Sequence, residues 1–556
     1  MISTPAFRRV FFEIPPAVFL LTAAIAAWAA YNRQAAQAKF WPIAAGVILF
    51  YGLVWWGRRH IWLLFELLAL FGVLLAVYFL LTYNWQAEPV KIGFVNRLGL
   101  RWMALRGTGL AGLPTIDTDV AAGILGILAP FACAVGYYWR KAGGNKRLPF
   151  LLLWAGILII AAALFLAAER GPWLGILAAS GGWLWWKISA WAGDRLNQPF
   201  RWLWGLGILL FAGVVLLALL LVPGSAAALE RVLPGPAEST SRIGLWLNSL
   251  HLVRDFPFTG GGLASFPGLF SQYILVVPYF YVISSHNLFV EVAAEQGIVA
   301  FVALMAIWVG SLIVLTSALF HEGTDDRTPV WGAALAGFVI LAFAGTLENV
   351  LYSSSDAWLL FLLPGIAISG LPVLADRPVV VSLPRGQIVW MGGISLVVLL
   401  ALAGNGRKIL SMGYSDLGAV RMAQVELADF PANRWKDNGN AEALQPATSL
   451  LQRAVELNPD NLTAQDRLGL IALFKRDFPS AVDHLERASS LDPSHPGIRK
   501  TLGYSYAWDG KLDQSAAVLA GVPEAKSEMY AYSGWWAEQG RPDLAEYARQ
   551  MLARLQ

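Results

Sequence analysis

The sequence predicts an all-α protein: a polytopic membrane bundle of about eleven helical spans followed by a soluble α-helical domain. Three observations lead there. The 556-residue chain is 57% apolar, contains 25 tryptophans and has a mean hydropathy of +0.55, more apolar surface than a soluble fold can hide. Apolar runs recur from the N-terminus to about residue 404, each near the ~20 residues with which a helix crosses the hydrocarbon core while satisfying its own backbone. Past that point the chain turns polar and charged, with no further spanning run. Residues 1–404 therefore read as a membrane domain and 405–556 as a second domain.

In order, the expected spans are 14–31, 41–57, 61–83, 119–139, 148–168, 172–192, 202–222, 287–319, 329–350, 356–375 and 387–404. The second is short, and the eighth is long enough to tilt or to extend beyond the bilayer. Arg8–Arg9, "GRRH" (57–60), "RKAGGNKR" (140–147), "DRLNQPFR" (194–201), "HEGTDDR" (321–327) and "DRPVVVSLPR" (376–385) all fall on one side. Most are basic, which assigns that side and the N-terminus to the cytoplasm. The extracytoplasmic side then receives two long loops, 84–118 and 223–286, and the C-terminal domain. Lys91, Arg97, Arg101 and Arg106 in the first loop run against the positive-inside trend. The basic pair and apolar run ending "AAWAAY" also have the form of a cleavable signal peptide, a form that many first spans share.

A net charge of +4, scattered as short clusters beside apolar runs, gives no footprint for nucleic acid. The single cysteine, Cys133, excludes an internal disulfide or a cysteine metal site and reads as packing. In the C-terminal domain "AVELNPDN" (454–461) and "ASSLDPSH" (488–495) lie 34 residues apart, and "RLGLIALFKRDFPSAVDHL" (467–485) aligns with "TLGYSYAWDGKLDQSAAVL" (501–519) at the same offset. That period, with Pro at helix starts and Gly and Ala at crossings, resembles tetratricopeptide repeats; a third unit near 526–556 is weaker. Such arrays bind a peptide or protein partner, or only scaffold an assembly.

Two histidines, His251 and His286, reach an extracytoplasmic site near the bilayer in this topology. His286 opens the eighth span, in "ISSHNLFVEVAAEQGI" (283–298), on a helix face shared with Phe289, Val290, Ala293, Ala294 and Gly297. Small residues there let another helix approach closely. Glu291 and Glu295 lie one turn apart on another face, and carboxylates within a span are usually paired or functional. The bland alternative is a satisfied helix-end histidine. Upstream, "STSRIGLWLNSLHLVRDFPFTGGGLASFPG" (239–268) predicts a helix from about Arg242, capped by Ser239, Thr240 or Ser241 and ending before Pro257. Arg242, Leu245, Trp246 and Ser249 share a face; His251 lies about 180° away. "GGG" (260–262) reads as a flexible turn and not a phosphate loop, since no Gly-Lys-Ser/Thr follows. In "AAERGPWLGILAAS" (167–180), Arg170 sits between two spans and needs a partner: Glu169, a lipid phosphate or a substrate. "IDTDVAAG" (116–123) holds an Asp-x-Asp, a spacing that can bind a metal; Asp117 and Asp119 precede a span, where Asp caps a helix and favours its dipole, and the cap reading is preferred.

Together these stretches resemble the O-antigen ligase/polymerase superfamily of bacterial envelope glycosyltransferases. His286, Asn287, Leu288, Glu295 and Gly297 match its His-Asn-(x)-Leu…Glu-x-Gly-Ile pattern. "SRIGLWLNSLHLVRDFPFTGGGLASF" matches its Arg…Trp…Pro…Gly-x-Gly…Phe loop, and "ERGPWLG" its Arg-Gly turn, over roughly residues 150–370. Glu169 departs from the family, where a Ser often precedes the Arg, and an acid there would weaken the positive field of Arg170. The resemblance implies a metal-independent transfer, without cofactor, of a glycan from a polyprenyl diphosphate carrier to a hydroxyl of a lipid, a growing polysaccharide or a protein, at the bacterial inner membrane. His286 is then the base, and Arg170 and Arg242 meet the diphosphate. Asn287, Glu295, Trp246 and Arg254 complete the expected set as substrate-binding residues. Lys91, Arg97, Arg101 and Arg106 are expected to touch lipid headgroups rather than the carrier, and Trp246, Tyr273, Tyr279 and Tyr281 offer stacking surfaces for sugars. A solute transporter is the rival of another class; no paired, Gly/Pro-broken half-helices recur in matching halves to support it.

Overall fold

A computed structural model describes residues 9–107, 113–142, 147–196, 242–277, 281–321, 328–348, 350–352, 356–369, 404–431 and 440–555. The expected span 202–222, the start of the second long loop and nearly all of the span 387–404 lie outside the described residues. Among the described residues the fold is all helix and loop. Val10–Ala29, Arg33–Trp56, His60–Thr82, Thr118–Lys141, Leu288–Leu319 and Thr328–Leu347 are long and apolar enough to cross a membrane, and Leu151–Ala167 and Ala357–Ser369 are shorter apolar helices. This is a multi-pass membrane protein.

Helix α1 (Ile14–Ala29) opens on Pro15 and Pro16, where a missing N–H costs nothing. α2 (Arg33–Thr82) is capped by the Asn32 side chain, which accepts from Ala35 N at 3.1 Å, and breaks at His60 into two spans. The first of these starts at Arg33, not at 41, and so carries Lys39 into the bundle. The first long loop contains α3 (Gly93–Arg106). Its Arg106 donates to the carbonyls of Leu80 at 2.6 Å and Tyr83 at 2.5 Å, closing the end of α2; its guanidinium is spent on the fold rather than on a headgroup. α4 (Thr118–Ala142), α5 (Arg147–Ala167) and α6 (Arg170–Leu196) follow.

α7 (Arg242–Asp255) precedes α8 (Leu288–His321), α9 (Thr328–Leu347) and α10 (Leu362–Ser369). α6 lies directly on α9: a Cβ on Gly171 would stand 3.1 Å from Ala344 Cα, and one on Gly175 2.6 Å from Ile340 Cα. The first turn of α6 therefore meets the last turns of α9. α8, the long eighth span, is kinked near its start. It breaks at Gly297 (φ 83°, ψ 173°), a conformation that favours glycine. The loop "GGG" fills that break and is a fixed turn: Gly261 N donates to Ala294 O at 2.8 Å, Gly262 N to Glu295 O at 3.1 Å, and Ile298 N to Pro257 O at 2.9 Å. A Cβ on Gly260 would stand 2.1 Å from Glu295 O, which no side chain permits.

The C-terminal region comprises α11 (Gly406–Glu426), α12 (Gln445–Leu457), α13 (Leu462–Phe474), α14 (Phe478–Leu491), α15 (Pro496–Trp508), α16 (Leu512–Leu519), α17 (Ala525–Glu538) and α18 (Pro542–Arg554). Contacts recur at the 34-residue offset read from the sequence. Gly469 packs on Leu485 as Gly503 packs on Leu519, and Asn461 and His495 each accept a backbone N–H three residues on. This region stands on the membrane part through one apolar core. Leu245 and Leu252 of α7 and Phe256, Phe266, Phe270 and Tyr273 from the segment between α7 and α8 pack with residues of α11, α12 and α13.

Candidate active site

The stretch "SSHN" is a strap held from both sides. Ser285 donates its backbone N–H (3.1 Å) and its hydroxyl (3.2 Å) to Glu291 Oε2. Asn287 Oδ1 caps α8 by accepting from Phe289 N at 3.0 Å and Val290 N at 3.1 Å, while its Nδ2 donates to Thr346 O at 3.2 Å and ties α8 to α9. Between these anchors His286 takes a left-handed backbone (φ 51°), which costs roughly 1–3 kcal/mol and persists because its neighbours are fixed. The imidazole is turned out, 39% exposed, with Nδ1 2.8 Å from Glu348 Oε2.

Glu348, just past the end of α9, gathers the site. Arg242 Nη2 donates to its Oε1 at 2.7 Å, and Arg242 Nη1 donates to Leu347 O. Lys91 Nζ lies 3.9 Å from the same Oε1 and 2.8 Å from Glu169 Oε2; Thr118 Oγ1 donates to Glu169 Oε1 at 3.0 Å. A cleft beside them is lined by Asp119, Gly123, Glu169, Pro172, Gly345 and Glu348, among others. Arg170 is half-buried at the first residue of α6, next to Glu169 in sequence, and the packing of Gly171 on Ala344 brings that turn to the end of α9. Glu348, an acid that accepts from Arg242 and faces Lys91, is a carboxylate and only accepts. The His286 nitrogen facing it must therefore carry a proton, and in the neutral ring that makes Nε2 the acceptor. This is the geometry of a general base backed by a carboxylate.

The structure thus brings together His286 and Arg242, with Arg170 in the adjoining turn. Asn287 serves as the cap. Trp246 is half-buried one turn from Arg242, and its indole N–H is buried without a hydrogen-bond partner. Glu295 lies elsewhere: it is 1% exposed and bonded to Lys39 at 2.7 Å. Arg254 points to the C-terminal region, with Nη2 2.6 Å from Asp492 Oδ2. Tyr273 is buried under Arg467 and bonded to Glu426 at 2.9 Å, so it offers no sugar surface. Tyr281 is 56% exposed and stacks on Phe430; Tyr279 lies outside the described residues. Lys91 belongs to the site and not to the headgroup region, because Glu169 pulls it in. Glu348 was missed as a partner, although it is the one acid in the expected span 329–350 and an acid in an apolar run is itself a signal. Asp119 sits in the first turn of α4 beside the cleft, and among the described residues no group of three or more His, Cys, Asp or Glu is placed to hold a metal ion.

Residues 155–305 match the family model described as O-antigen ligase. The match runs from α5 through the break in α8 and contains Arg170, Arg242, His286 and Glu295. That match, together with the apolar helices, supports a membrane protein of the glycosyltransferase-like ligase class. Its membrane part carries a domain of the O-antigen ligase superfamily. No curated protein matches the chain.

Proposed function

We propose that this protein transfers a glycan from a polyprenyl diphosphate carrier to an acceptor hydroxyl of a lipid or growing polysaccharide, on the extracytoplasmic face of the bacterial inner membrane. The observation that carries this reading is the His286–Glu348–Arg242 chain of contacts, in which Glu348 joins two residues of the ligase-matched region. His286 Nε2 takes the acceptor's proton as its oxygen bonds to the anomeric carbon. The bond from that carbon to the diphosphate oxygen breaks, and polyprenyl diphosphate leaves. Glu348 steadies the imidazolium without taking its proton. Arg170, Lys91 and the remaining N–H groups of Arg242 face the charge that develops on the leaving group. Trp246 and Asn287 are the further substrate-side residues. Glu295 and Arg254 act from a distance, through the packing of α8 and of the C-terminal region.

We read the 34-residue units as tetratricopeptide repeats. Their direct seat on α7 gives a specific reason to keep a protein acceptor as the second reading, since a polypeptide held there would stand beside the site. Deleting the gene in its source cell separates these cases. Loss of surface polysaccharide chain length means polymerase, accumulated lipid-linked polymer means ligase, and loss of glycoprotein alone means a protein acceptor. An unaltered envelope with altered solute uptake would overturn the transferase reading in favour of transport. An alkaline phosphatase fusion after residue 440 should be active; a cytoplasmic reporter active there would overturn the placement.

A further inference from the structure

Helix α7 is held at both ends by charges on different parts of the molecule. Its first residue, Arg242, bonds Glu348 beside His286. About 20 Å along the axis, its last turn is gripped by the C-terminal region. Asp255 accepts from Arg467 Nη2 at 2.6 Å and from Thr463 Oγ1 at 2.8 Å. Arg254 Nη2 donates to Asp492 Oδ2 at 2.6 Å, and His251 Nδ1 lies 3.4 Å from that oxygen. Arg467 is fully buried, bonded also to Asp466 at 3.0 Å, and its guanidinium lies 3.5 Å over the Tyr273 ring. A buried ion pair of this kind gains little stability over an apolar contact, because desolvation offsets most of its attraction. What it supplies is register.

We infer that Arg467 is a positioning residue for the site. By fixing Asp255 it sets the axial position and rotation of α7, and so delivers Arg242 onto Glu348. A slip of one residue along α7 is 1.5 Å and 100°, enough to carry the Arg242 guanidinium out of reach. The inference rests on the reading of His286 as the base and Arg242 as a donor contact. The groups facing His286 and Glu348 are Arg242 from α7, Lys91 from the first long loop, Glu169 before α6 and Asp119 from α4. With the charge of Arg242 withdrawn, Glu348 acts on the imidazole with less competition and favours its protonated form. The acidic limb of the rate–pH profile then moves to higher pH.

The test uses the full chain in lipid nanodiscs, with polyprenyl diphosphate-linked glycans extracted from the source cells as donor and release of polyprenyl diphosphate as the readout. Asp255→Asn and Arg467→Met should each raise the donor KM several-fold and move the acidic limb upward, as Arg242→Gln should. Arg467→Lys keeps the charge but not the fork that reaches Asp255 and Asp466 together, so it should recover part of both. In an Arg242→Gln background, Asp255→Asn should add nothing further to either quantity. Should the buried variants fail to reach the membrane, Asp492→Asn loosens the same end of α7 from a more accessible pair, and a smaller shift in the same direction is expected. A wild-type KM and an unmoved limb in Asp255→Asn, Arg467→Met or Asp492→Asn would overturn the inference. That outcome is distinct from failure of the base reading, which would appear as wild-type turnover in His286→Ala.

Discussion

α8 begins between two charged clusters built from the same kinds of residue. On one side His286, Arg242 and Lys91 surround Glu348, with side chains 39%, 18% and 50% exposed. On the other, Lys39 meets Glu295 at 2.7 Å and Glu291 at 3.7 Å, and all three side chains are at most 4% exposed. In the sealed cluster the charges are spent on the protein. Lys39 also sits 3.8 Å over the Tyr352 ring, and Glu291 holds Ser285. In the open cluster the imidazole of His286 and the Lys91 side chain stay accessible. Exposure, not charge, separates the two clusters, and Ser285 links them because it sits beside His286 and bonds Glu291.

The largest expected effects test that separation directly. His286→Ala should lower transfer by about two to four orders of magnitude while folded protein still reaches the membrane, the size of general-base catalysis. Lys39→Met should do the reverse. It leaves two buried glutamates without their cation, a loss of about 3–5 kcal/mol, seen as little folded protein with near-normal turnover per surviving molecule. Normal yield with abolished turnover in Lys39→Met would break the comparison.

Within the open cluster the effects should grade. Glu348→Gln keeps the base but removes the anion that orients His286 and holds Arg242, so transfer should fall by about tenfold to a thousandfold, less than for His286→Ala. Arg242→Lys keeps the charge but loses the fork that reaches Glu348 and Leu347 together, and should stay well below wild type in donor KM. Asp119→Asn should be milder still, and chelator should leave transfer intact. Activity lost to chelator and restored by Mn²⁺ or Mg²⁺ would make Asp119 a metal ligand rather than a first-turn acid.

The helical class, six of the spans and the 34-residue period were legible because each is a local pattern of apolar spacing. His286, Arg242 and Arg170 were singled out by motif order, and the structure places the first two on Glu348 and the third in the adjoining turn. The rest depended on who meets whom. Lys39 stands 256 positions before Glu295, and Glu348 lies 106 positions after Arg242. No spacing along the chain reveals such pairs. Arg254 matched the loop motif yet turns to Asp492, because the far end of α7 belongs to the docking face. The glycines at 260–262 read as a flexible turn because composition reports conformational freedom, whereas the break at Gly297 offers two carbonyls that fix them.

The smallest expected effect concerns the other sealed polar region, where the C-terminal part docks. Burial pushes the carboxyls of Asp416, Glu426 and Asp466 up to about 7, with Thr259 opposing at Asp416, a Tyr273 bond and Arg467 at Glu426, and Arg467 at Asp466. An ordinary carboxyl titrates near ~4. Between there and about 7 the folded state binds more protons than the unfolded one, so these groups make stability fall as pH rises through that range. Burial pushes His495 the other way, down to about 3, so at acidic pH it takes up a proton on unfolding; its contribution to stability rises with pH and levels off above the ~6.5 of an ordinary histidine. In a comparison of pH 6.5 with pH 8 the three acids therefore outweigh the histidines, most of whose contribution lies below that range. The thermal transition of the full chain should come a few degrees earlier at pH 8, on the scale of ~2–4 °C per kcal/mol. Asp416→Asn, which removes one of the three, should shrink the difference. An unchanged or later transition at pH 8 would mean that this interface is wet enough to ionise at no cost, and that the docking face belongs with the open cluster rather than the sealed one.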